Sequence, residues 1–127
     1  MARRGRKSGH LILVINPGST STKLALFRGA RCLDETTLEH AALDLRKFRS
    51  VAAQEEWRAG LVRDYLAAAG LEALELSAAV GRGGLLAPLS GGTYRVGSKM
   101  KRELRGAKYG SHASNPVSYT HLTLPTN

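Results

Sequence analysis

The stretch LILVINPGSTSTKLALF, residues 11–27, places a short polar turn between two apolar runs. Its first run, residues 11–16, consists mainly of Leu, Ile and Val, stops before a proline and is typical of a strand buried on both faces. Residues 22–28 predict a second strand, and Gly29-Ala30 predicts a turn into a third strand over residues 31–40. Because such short links join antiparallel neighbours, the sequence predicts a sheet that begins with an antiparallel hairpin.

After residue 50, apolar side chains recur at every fourth position, which predicts a helix with one buried face. The residues of this face are Trp57, Leu61, Tyr65 and Ala69, with Val62 and Leu66 alongside. Gly70 is a suitable end for this helix. Further predicted elements are a strand over residues 76–80, a glycine-rich loop over 81–92, a brief strand over 93–96 and a basic helix over 98–108. The chain is therefore predicted to be an α/β protein.

Composition restricts the classes of protein to which the chain can belong. Its 127 residues suffice for one domain with a modest core, and 43% hydrophobic residues is an ordinary globular share. Cys32 is the only cysteine, which excludes a disulfide framework and a cysteine-rich metal site and fits a reducing compartment. No segment approaches the roughly 20 apolar residues that span a bilayer, and the first apolar run is too short for a signal peptide. We therefore expect a cytoplasmic protein without a membrane partner, with a disordered basic leader over residues 1–10.

The chain carries a formal net charge of +9, and its basic residues are concentrated in two places. These are the first ten positions and the stretch from Arg95 to Lys108. A net positive charge favours binding to nucleic acid, to an acidic membrane surface or to a phosphorylated small molecule, but the charge alone does not distinguish among these partners. A basic nucleic-acid-binding module is one alternative, although aromatic residues make up only 6% of the chain.

The polar turn has features of a phosphate-binding loop. Gly18 lets a ligand approach the backbone, and the hydroxyl side chains of residues 19–22 lie beside amides that suit phosphate oxygens. Asn16 ends the first strand with an amide suited to holding a phosphate or a metal ion. A Walker loop is excluded, because the second glycine is missing and the turn leads into a strand instead of a helix. From these residues alone, a plain hairpin turn remains equally open.

Three motifs resemble segments of a known family. ILVINPGSTSTKLALF resembles the first phosphate loop of the acetate and sugar kinase, heat-shock ATPase and actin superfamily, and more narrowly the opening of the butyrate kinases of the acetate kinase family. VGRGGLLAPLSGGTYRVGSKM (residues 80–100) and YGSHASN (residues 109–115) resemble the substrate-side segment and the next shared block of that family. The resemblance covers residues 11–115, which correspond to the first third of a family member.

The resemblance implies a fold and a reaction. The fold is a ribonuclease H-like (actin-like ATPase) domain with a mixed sheet, present here in incomplete form. The reaction is transfer of a phosphoryl group from ATP to butyrate, or to a branched short-chain fatty acid, giving ADP and butyryl phosphate with Mg²⁺ as cofactor. The resemblance implies no nucleic-acid partner, and it implies a homo-oligomer for the full-length protein.

The resemblance also implies roles for individual residues. Arg82 would bind the substrate carboxylate or the acyl phosphate, and His112 would donate a hydrogen bond to the phosphoryl group in transfer. The residues expected to bind ATP are Asn16, Gly18, Ser19, Thr20 and Ser21, with Asn16 also a ligand for Mg²⁺. Without the resemblance, Arg82 is interpreted as a solvated loop arginine and His112 as an ordinary surface or core histidine.

The resemblance ends at Asn115. Residues 116–127, PVSYTHLTLPTN, carry no charge, match nothing expected of the family and resemble translated foreign DNA joined to a gene fragment. The aspartate, second catalytic arginine and adenosine-binding domain that the family adds further along have no counterpart in this sequence. The chain on its own is therefore expected to be inactive, and an inactive phosphate-binding fragment is the second alternative.

Overall fold

The computed structural model describes residues 9–50, 52–82, 88–106, 108 and 110. Its strands are β1 (Leu11–Pro17), β2 (Ser21–Arg28), β3 (Arg31–Glu39) and β4 (Ala78–Gly81). Its helices are α1 (Ala42–Leu45), α2 (Glu55–Ala68) and α3 (Ser98–Arg105), with 3-10 turns at Ala52–Gln54 and Ala73–Glu75. The predicted α/β class is confirmed. None of the helices in these ranges has the length and apolar character needed to cross a membrane.

The strands form one mixed sheet in the order β3-β2-β1-β4. β1 pairs antiparallel with β2 and β2 pairs antiparallel with β3, whereas β1 and β4 are parallel. The predicted antiparallel hairpin at the start of the sheet is thus confirmed. Gly29 has a φ of +62° in the turn between β2 and β3, a conformation that glycine adopts without strain. Since β1 and β4 run in the same direction, their carboxyl ends lie at the same edge of the sheet.

One face of this sheet carries the hydrophobic core. In β1, buried side chains alternate with half-buried ones, because successive side chains of a strand point to opposite faces. Side chains of α2 pack on the buried face, and the resulting cluster consists of Leu11, Leu13, Ile15, Leu24, Leu26, Val62, Leu66 and Leu76. The prediction that residues 11–16 are buried on both faces is wrong for the opposite face, where Ile12, Val14 and Asn16 are only half-buried.

The buried stripe of α2 lies one residue away from the predicted stripe. Its buried side chains are Arg58, Ala59, Val62 and Leu66, whereas Trp57, Leu61 and Tyr65 are half-buried and Ala69 is exposed. The ring of Trp57 packs against His40 and Phe48, with ring centroids 4.8 Å and 5.3 Å away. This aromatic contact accounts for the difference, because it draws Trp57 towards the segment after β3 instead of the core cluster.

α2 ends where the sequence predicts. Gly70 has a φ of +75°, and its N–H donates to the Ala67 carbonyl at 2.9 Å. The N–H of Leu71 donates to the Leu66 carbonyl at 2.9 Å, and the Leu71 side chain packs against the core. This pair of hydrogen bonds around a left-handed glycine is the Schellman arrangement, which satisfies carbonyls at the helix end.

Two predicted elements near residue 100 differ from the structure. No strand forms over residues 93–96 in the described part of the chain, where Tyr94 is exposed and its hydroxyl donates to the Ser90 carbonyl at 2.7 Å. α3 ends at Arg105, earlier than predicted, because glycine at position 106 is a poor helix former. β4 also begins later than predicted, at Ala78, because at Ser77 the N–H of Leu11 donates to the side-chain hydroxyl, at 3.3 Å, instead of to a backbone carbonyl.

Replacing Leu13 with alanine should lower the free energy of unfolding by about 2–5 kcal/mol, the usual cost of emptying a buried leucine site. The Leu13 side chain is fully buried in the core cluster. Leu43→Ala is the matched control, because Leu43 is 70% exposed, and it should change the free energy by less than about 0.5 kcal/mol. Urea denaturation followed by circular dichroism measures both values. Equal losses in the two variants would contradict this placement of the core.

Candidate functional site

The turn between β1 and β2 is held by hydrogen bonds to its carbonyl groups. The Gly18 N–H donates to the Ser21 carbonyl at 2.8 Å and closes the hairpin. The His40 N–H, directly after β3, donates to the Thr20 carbonyl at 2.8 Å. The Gly18 carbonyl accepts a hydrogen bond from Nη2 of Arg58 at 3.0 Å. The carbonyls of Gly18 and Thr20 are therefore directed at Arg58 and at the segment after β3, respectively.

Arg58 reaches the turn from the first turn of α2, and its side chain is fully buried. Nε donates to Oε1 of Gln54 at 2.9 Å, while Nη1 donates to the Ser21 carbonyl at 3.1 Å and to the Thr22 hydroxyl at 2.9 Å. Burial lowers the pKa of Arg58, yet an arginine stays charged at neutral pH. All these acceptors are neutral, and no carboxylate of the described residues forms an ion pair with Arg58. A positive charge without an ion-pair partner in this part of the chain thus lies behind the turn.

The same contacts direct the Ser19 amide away from Arg58. The Gly18 carbonyl and the Ser19 N–H belong to one planar trans peptide unit, in which they point in opposite directions. Because the carbonyl points at Arg58, the amide points outward. Within residues 9–50, 52–82 and 88–106, the amides of Ser19 and Thr20 have no hydrogen-bond acceptor, and both residues are exposed. Outward amides of this kind are the donors that bind phosphate oxygens.

The fold itself does not require glycine at position 18. The φ of Gly18 lies outside the left-handed region, and an added Cβ would lie 3.4 Å from Oγ and 3.7 Å from the carbonyl oxygen of Ser21. These are ordinary van der Waals distances, so alanine would fit the turn. The missing side chain instead leaves room for a group that approaches the backbone from outside.

Thr22 connects Arg58 to His40. Its hydroxyl oxygen accepts from Arg58 and lies 2.8 Å from Nε2 of His40. Burial, and after it the charge of Arg58, lower the pKa of His40, partly opposed by Glu39 and Asp44. In the tautomer of neutral His40 that carries its ring proton on Nδ1, Nε2 accepts the proton of the Thr22 hydroxyl. In that tautomer the Thr22 hydroxyl accepts from Arg58 and donates to His40.

Asn16 and Arg82 are neighbours at the edge of the sheet where β1 and β4 end. The parallel register pairs Ile15 with Gly81, which places the following residues, Asn16 and Arg82, next to each other. The Arg82 N–H donates to the Ile15 carbonyl at 3.1 Å, and Arg82 is exposed. The carboxyl ends of parallel strands are the usual position for ligands in α/β sheets. The structure therefore brings Asn16, Arg82 and the predicted turn residues to one edge.

Asn16 and Arg58 lie on opposite sides of this edge. Asn16 belongs to the half-buried face of β1, with exposed Lys23 opposite it in β2, whereas Arg58 contacts Thr22 on the core face. The Ser19 amide points away from Arg58, since the Gly18 carbonyl of the same trans peptide unit accepts from that guanidinium. A phosphate bound to this amide would therefore have the guanidinium on the other side of the turn backbone.

Mg²⁺ fits this donor set only together with a phosphate ligand. No group of three or more His, Cys, Asp or Glu side chains that could hold a metal occurs among the described residues. Asn16 and the hydroxyls of the turn are oxygen donors, which Mg²⁺ prefers, and Mg²⁺ needs few protein ligands when phosphates and water supply the others. His112, the basic leader before residue 9 and the tail after residue 115 lie outside the described residues. The roles assigned to the site residues stay predictions.

Sequence reasoning missed the buried network of Arg58, Thr22 and His40. A charged residue is normally assigned to the surface, and the predicted stripe was centred one position away. A signal was present, because Arg58 precedes Val62 and Leu66 by one and two helical turns. An arginine in line with such apolar residues lies on the buried side of the helix and requires acceptors there.

Comparison with curated proteins gives consistent matches to one kind of enzyme. The chain is 47% identical over 104 residues to "Probable butyrate kinase" of Enterococcus faecalis and 48% identical over 104 residues to the protein of that name from Listeria monocytogenes. It is 49% identical over 107 residues to that of Coprothermobacter proteolyticus. The chain is thus similar to butyrate kinases over most of its own length. The match confirms the predicted resemblance and covers 82–84% of this chain, but the chain spans only 28–30% of the length of these butyrate kinases. No protein-family model matches the chain.

The pKa of His40 should lie below 6.5, because burial and Arg58 both disfavour its protonated form. As the pH falls through 6.5, the unfolded chain takes up this proton before the folded chain does, so the free energy of unfolding should decrease. NMR titration of the His40 ring protons measures the pKa directly.

His40→Gln keeps a side chain that can bind Thr22 and removes the titration. Urea unfolding at about pH 7 and about pH 5 should therefore show a smaller loss of stability on acidification in this variant than in the wild type. A His40 pKa at or above 6.5, or the same loss in both proteins, would contradict the assignment.

Proposed function

We propose that the chain is part of a phosphotransferase with a carboxyl group as acceptor, which transfers a phosphoryl group from ATP to butyrate or a branched short-chain fatty acid. The products are ADP and the acyl phosphate. The observation that carries the proposal is the turn at the end of β1, with an outward amide at Ser19 and Arg82 at the same sheet edge. Behind the turn lies the buried guanidinium of Arg58, which forms no ion pair with a carboxylate of the described residues. The printed name of the relatives, "Probable butyrate kinase", supports the choice of carboxylate.

The turn is proposed to bind the phosphates of ATP. Phosphoryl transfer needs little covalent assistance from the protein, so catalysis depends on positioned donors and positive charge. The amides of Ser19 and Thr20, with the hydroxyls of residues 19–21, supply donors at one place. Gly18 leaves the backbone accessible. Asn16, at the end of β1, holds a phosphate oxygen or Mg²⁺, which when bound neutralises charge on the phosphates.

Arg82 and His112 are proposed as the catalytic residues on the acceptor side. A guanidinium can bind a carboxylate through two parallel hydrogen bonds, so Arg82 would hold butyrate or the acyl phosphate. Its place beside Asn16 at the sheet edge supports this role, because acceptor and donor must meet at the transferred phosphoryl group. His112 would donate a hydrogen bond to that group.

The remaining proposals concern the whole protein. The mixed sheet that starts with an antiparallel hairpin supports a ribonuclease H-like domain, of which residues 11–115 form a part. The length matched in the relatives is close to the length of this segment, which supports treating residues 116–127 as foreign. The complete kinase is proposed to be a cytoplasmic homo-oligomer. Its remaining part would bind adenosine, so the isolated chain would bind phosphates without turnover.

Gly18→Ala should weaken binding of MgATP to the chain about tenfold while leaving the free energy of unfolding nearly unchanged. The reason is that the new methyl group fits the turn but occupies the space from which a phosphate would approach. Isothermal titration calorimetry measures the affinity, and urea denaturation measures the stability.

Gly60→Ala is the matched control, because Gly60 lies inside α2 and an added Cβ there meets only the Arg63 side chain at 3.8 Å. It should raise the stability by roughly 1 kcal/mol and leave MgATP binding unchanged. Wild-type affinity in Gly18→Ala would contradict a phosphate site at this turn. Binding of nucleic acid by the wild type, falling steeply with salt, would favour the nucleic-acid alternative instead.

Arg82→Ala should raise the KM for butyrate at least about tenfold in the complete kinase, since a charge-assisted pair to the carboxylate is lost. The gene must first be sequenced across the codons of residues 111–127 to recover the complete reading frame. Arg95→Ala removes the same charge from another exposed position and serves as the control. An unchanged KM for butyrate in Arg82→Ala would remove Arg82 from the acceptor site.

A further inference from the structure

Arg58 replaces one of the two backbone hydrogen bonds that close a simple hairpin. In a two-residue hairpin, the residues that flank the loop exchange hydrogen bonds between their backbones. Here the Gly18 N–H donates to the Ser21 carbonyl, but in the described residues the Gly18 carbonyl accepts from the guanidinium of Arg58 instead of from a backbone amide. The guanidinium also holds the Ser21 carbonyl. One side chain therefore fixes the backbone on both sides of Ser19 and Thr20.

The guanidinium is itself held in place. Nε donates to Gln54, which directly precedes α2, and Nη1 also donates to the Thr22 hydroxyl. These contacts use the planar, forked arrangement of donors that arginine has and lysine lacks. The side chain is fully buried, so it has no freedom to follow a movement of the turn. The orientation of the Gly18–Ser19 peptide is consequently set by α2.

A buried charge such as that of Arg58 is unusual in a contact that serves only to stabilise the fold. Burying a cation is costly unless an anion lies nearby, and no carboxylate within the described residues pairs with this guanidinium. The outward Ser19 amide lies on the other side of the same peptide unit. An anion bound to that amide would lie close to the guanidinium, with only the turn backbone between them, and would compensate its charge.

We propose that Arg58 is a positioning residue of the phosphate loop, which directs the Ser19 amide towards the phosphate and supplies a buried positive charge that the bound phosphate neutralises. The inference rests on the proposed function for the identity of the ligand. It adds to that function a residue outside the turn, which acts through the backbone and does not touch the nucleotide.

The test uses the 127-residue chain with Arg58→Lys, which keeps the charge and loses the fork. Arg63→Lys is the matched control on the same helix, because Arg63 is exposed and pairs with Glu56. Affinities for MgATP and for magnesium tripolyphosphate, a probe without adenosine, are measured by calorimetry on protein shown to be folded by circular dichroism. We expect Arg58→Lys to bind both probes at least about tenfold more weakly and Arg63→Lys to bind them as the wild type does.

A second measurement distinguishes positioning from general support of the fold. In ¹⁵N–¹H NMR spectra without ligand, Arg58→Lys should shift the Ser19 amide signal and leave that of Leu13, in the core of β1, unchanged. A merely structural role would lower the urea midpoint and leave the affinity of the folded protein as it was. Wild-type affinity in folded Arg58→Lys would therefore overturn the inference while the proposed function stands.

Thr22→Val provides the same test if Arg58→Lys does not fold, because it removes one acceptor of Arg58 with little change of shape. A several-fold loss of affinity for both probes supports the inference, and an unchanged affinity overturns it. If the wild-type chain binds neither probe, the proposed phosphate site is wrong, and the inference that depends on it is wrong as well. The affinity of the wild type thus shows whether the proposed function fails, and the affinities of the variants show whether the inference fails.

Discussion

The buried guanidinium of Arg58 is the interaction on which the candidate site depends. The hydrophobic cluster between the sheet and α2 determines how the two elements pack, but it does not determine the direction of any peptide group in the turn. That direction is determined by polar contacts, since a carbonyl that points at Arg58 forces its partner amide to point away. A change in the packing of α2 would therefore reach the turn through this one side chain.

The network around Thr22 explains why the arginine tolerates burial. Apart from the Gly18 carbonyl in the turn, the acceptors of Arg58 lie in or directly beside regular elements: Gln54 precedes α2, and Ser21 and Thr22 begin β2. The His40 that binds Thr22 directly follows β3. Fixed neutral dipoles can solvate a buried cation, although less completely than an ion pair or water would. Under the role proposed for Arg58, this incomplete compensation favours binding of an anion at the turn.

The sequence was sufficient to predict the hairpin, because short turns leave few ways to connect strands, and to predict the end of α2, because Gly70 suits a left-handed conformation. It was not sufficient to predict the phase of α2. Trp57 and Val62 are both apolar, and periodicity alone does not show that Trp57 packs on His40 and Phe48. The arginine was missed for the same reason, since three of its acceptors, on Gly18, Ser21 and Thr22, come from a segment distant in sequence. The sequence motif indicated the turn as a candidate site, but the hydrogen bonds that hold the turn depend on tertiary contacts that the motif does not show.

The two halves of the proposed site are built in different ways. The turn is positioned by β1, β2, β3 and α2 together, through the hydrogen bonds of Arg58 and His40. Arg82 is connected to the same edge mainly by the pairing of β4 with β1 and one backbone hydrogen bond to Ile15. The phosphate side therefore has a rigid support, while the acceptor side lies at the end of a short strand. Within the described residues, β1 belongs to both supports, so it is the strand that would connect the proposed phosphate side to the proposed acceptor side.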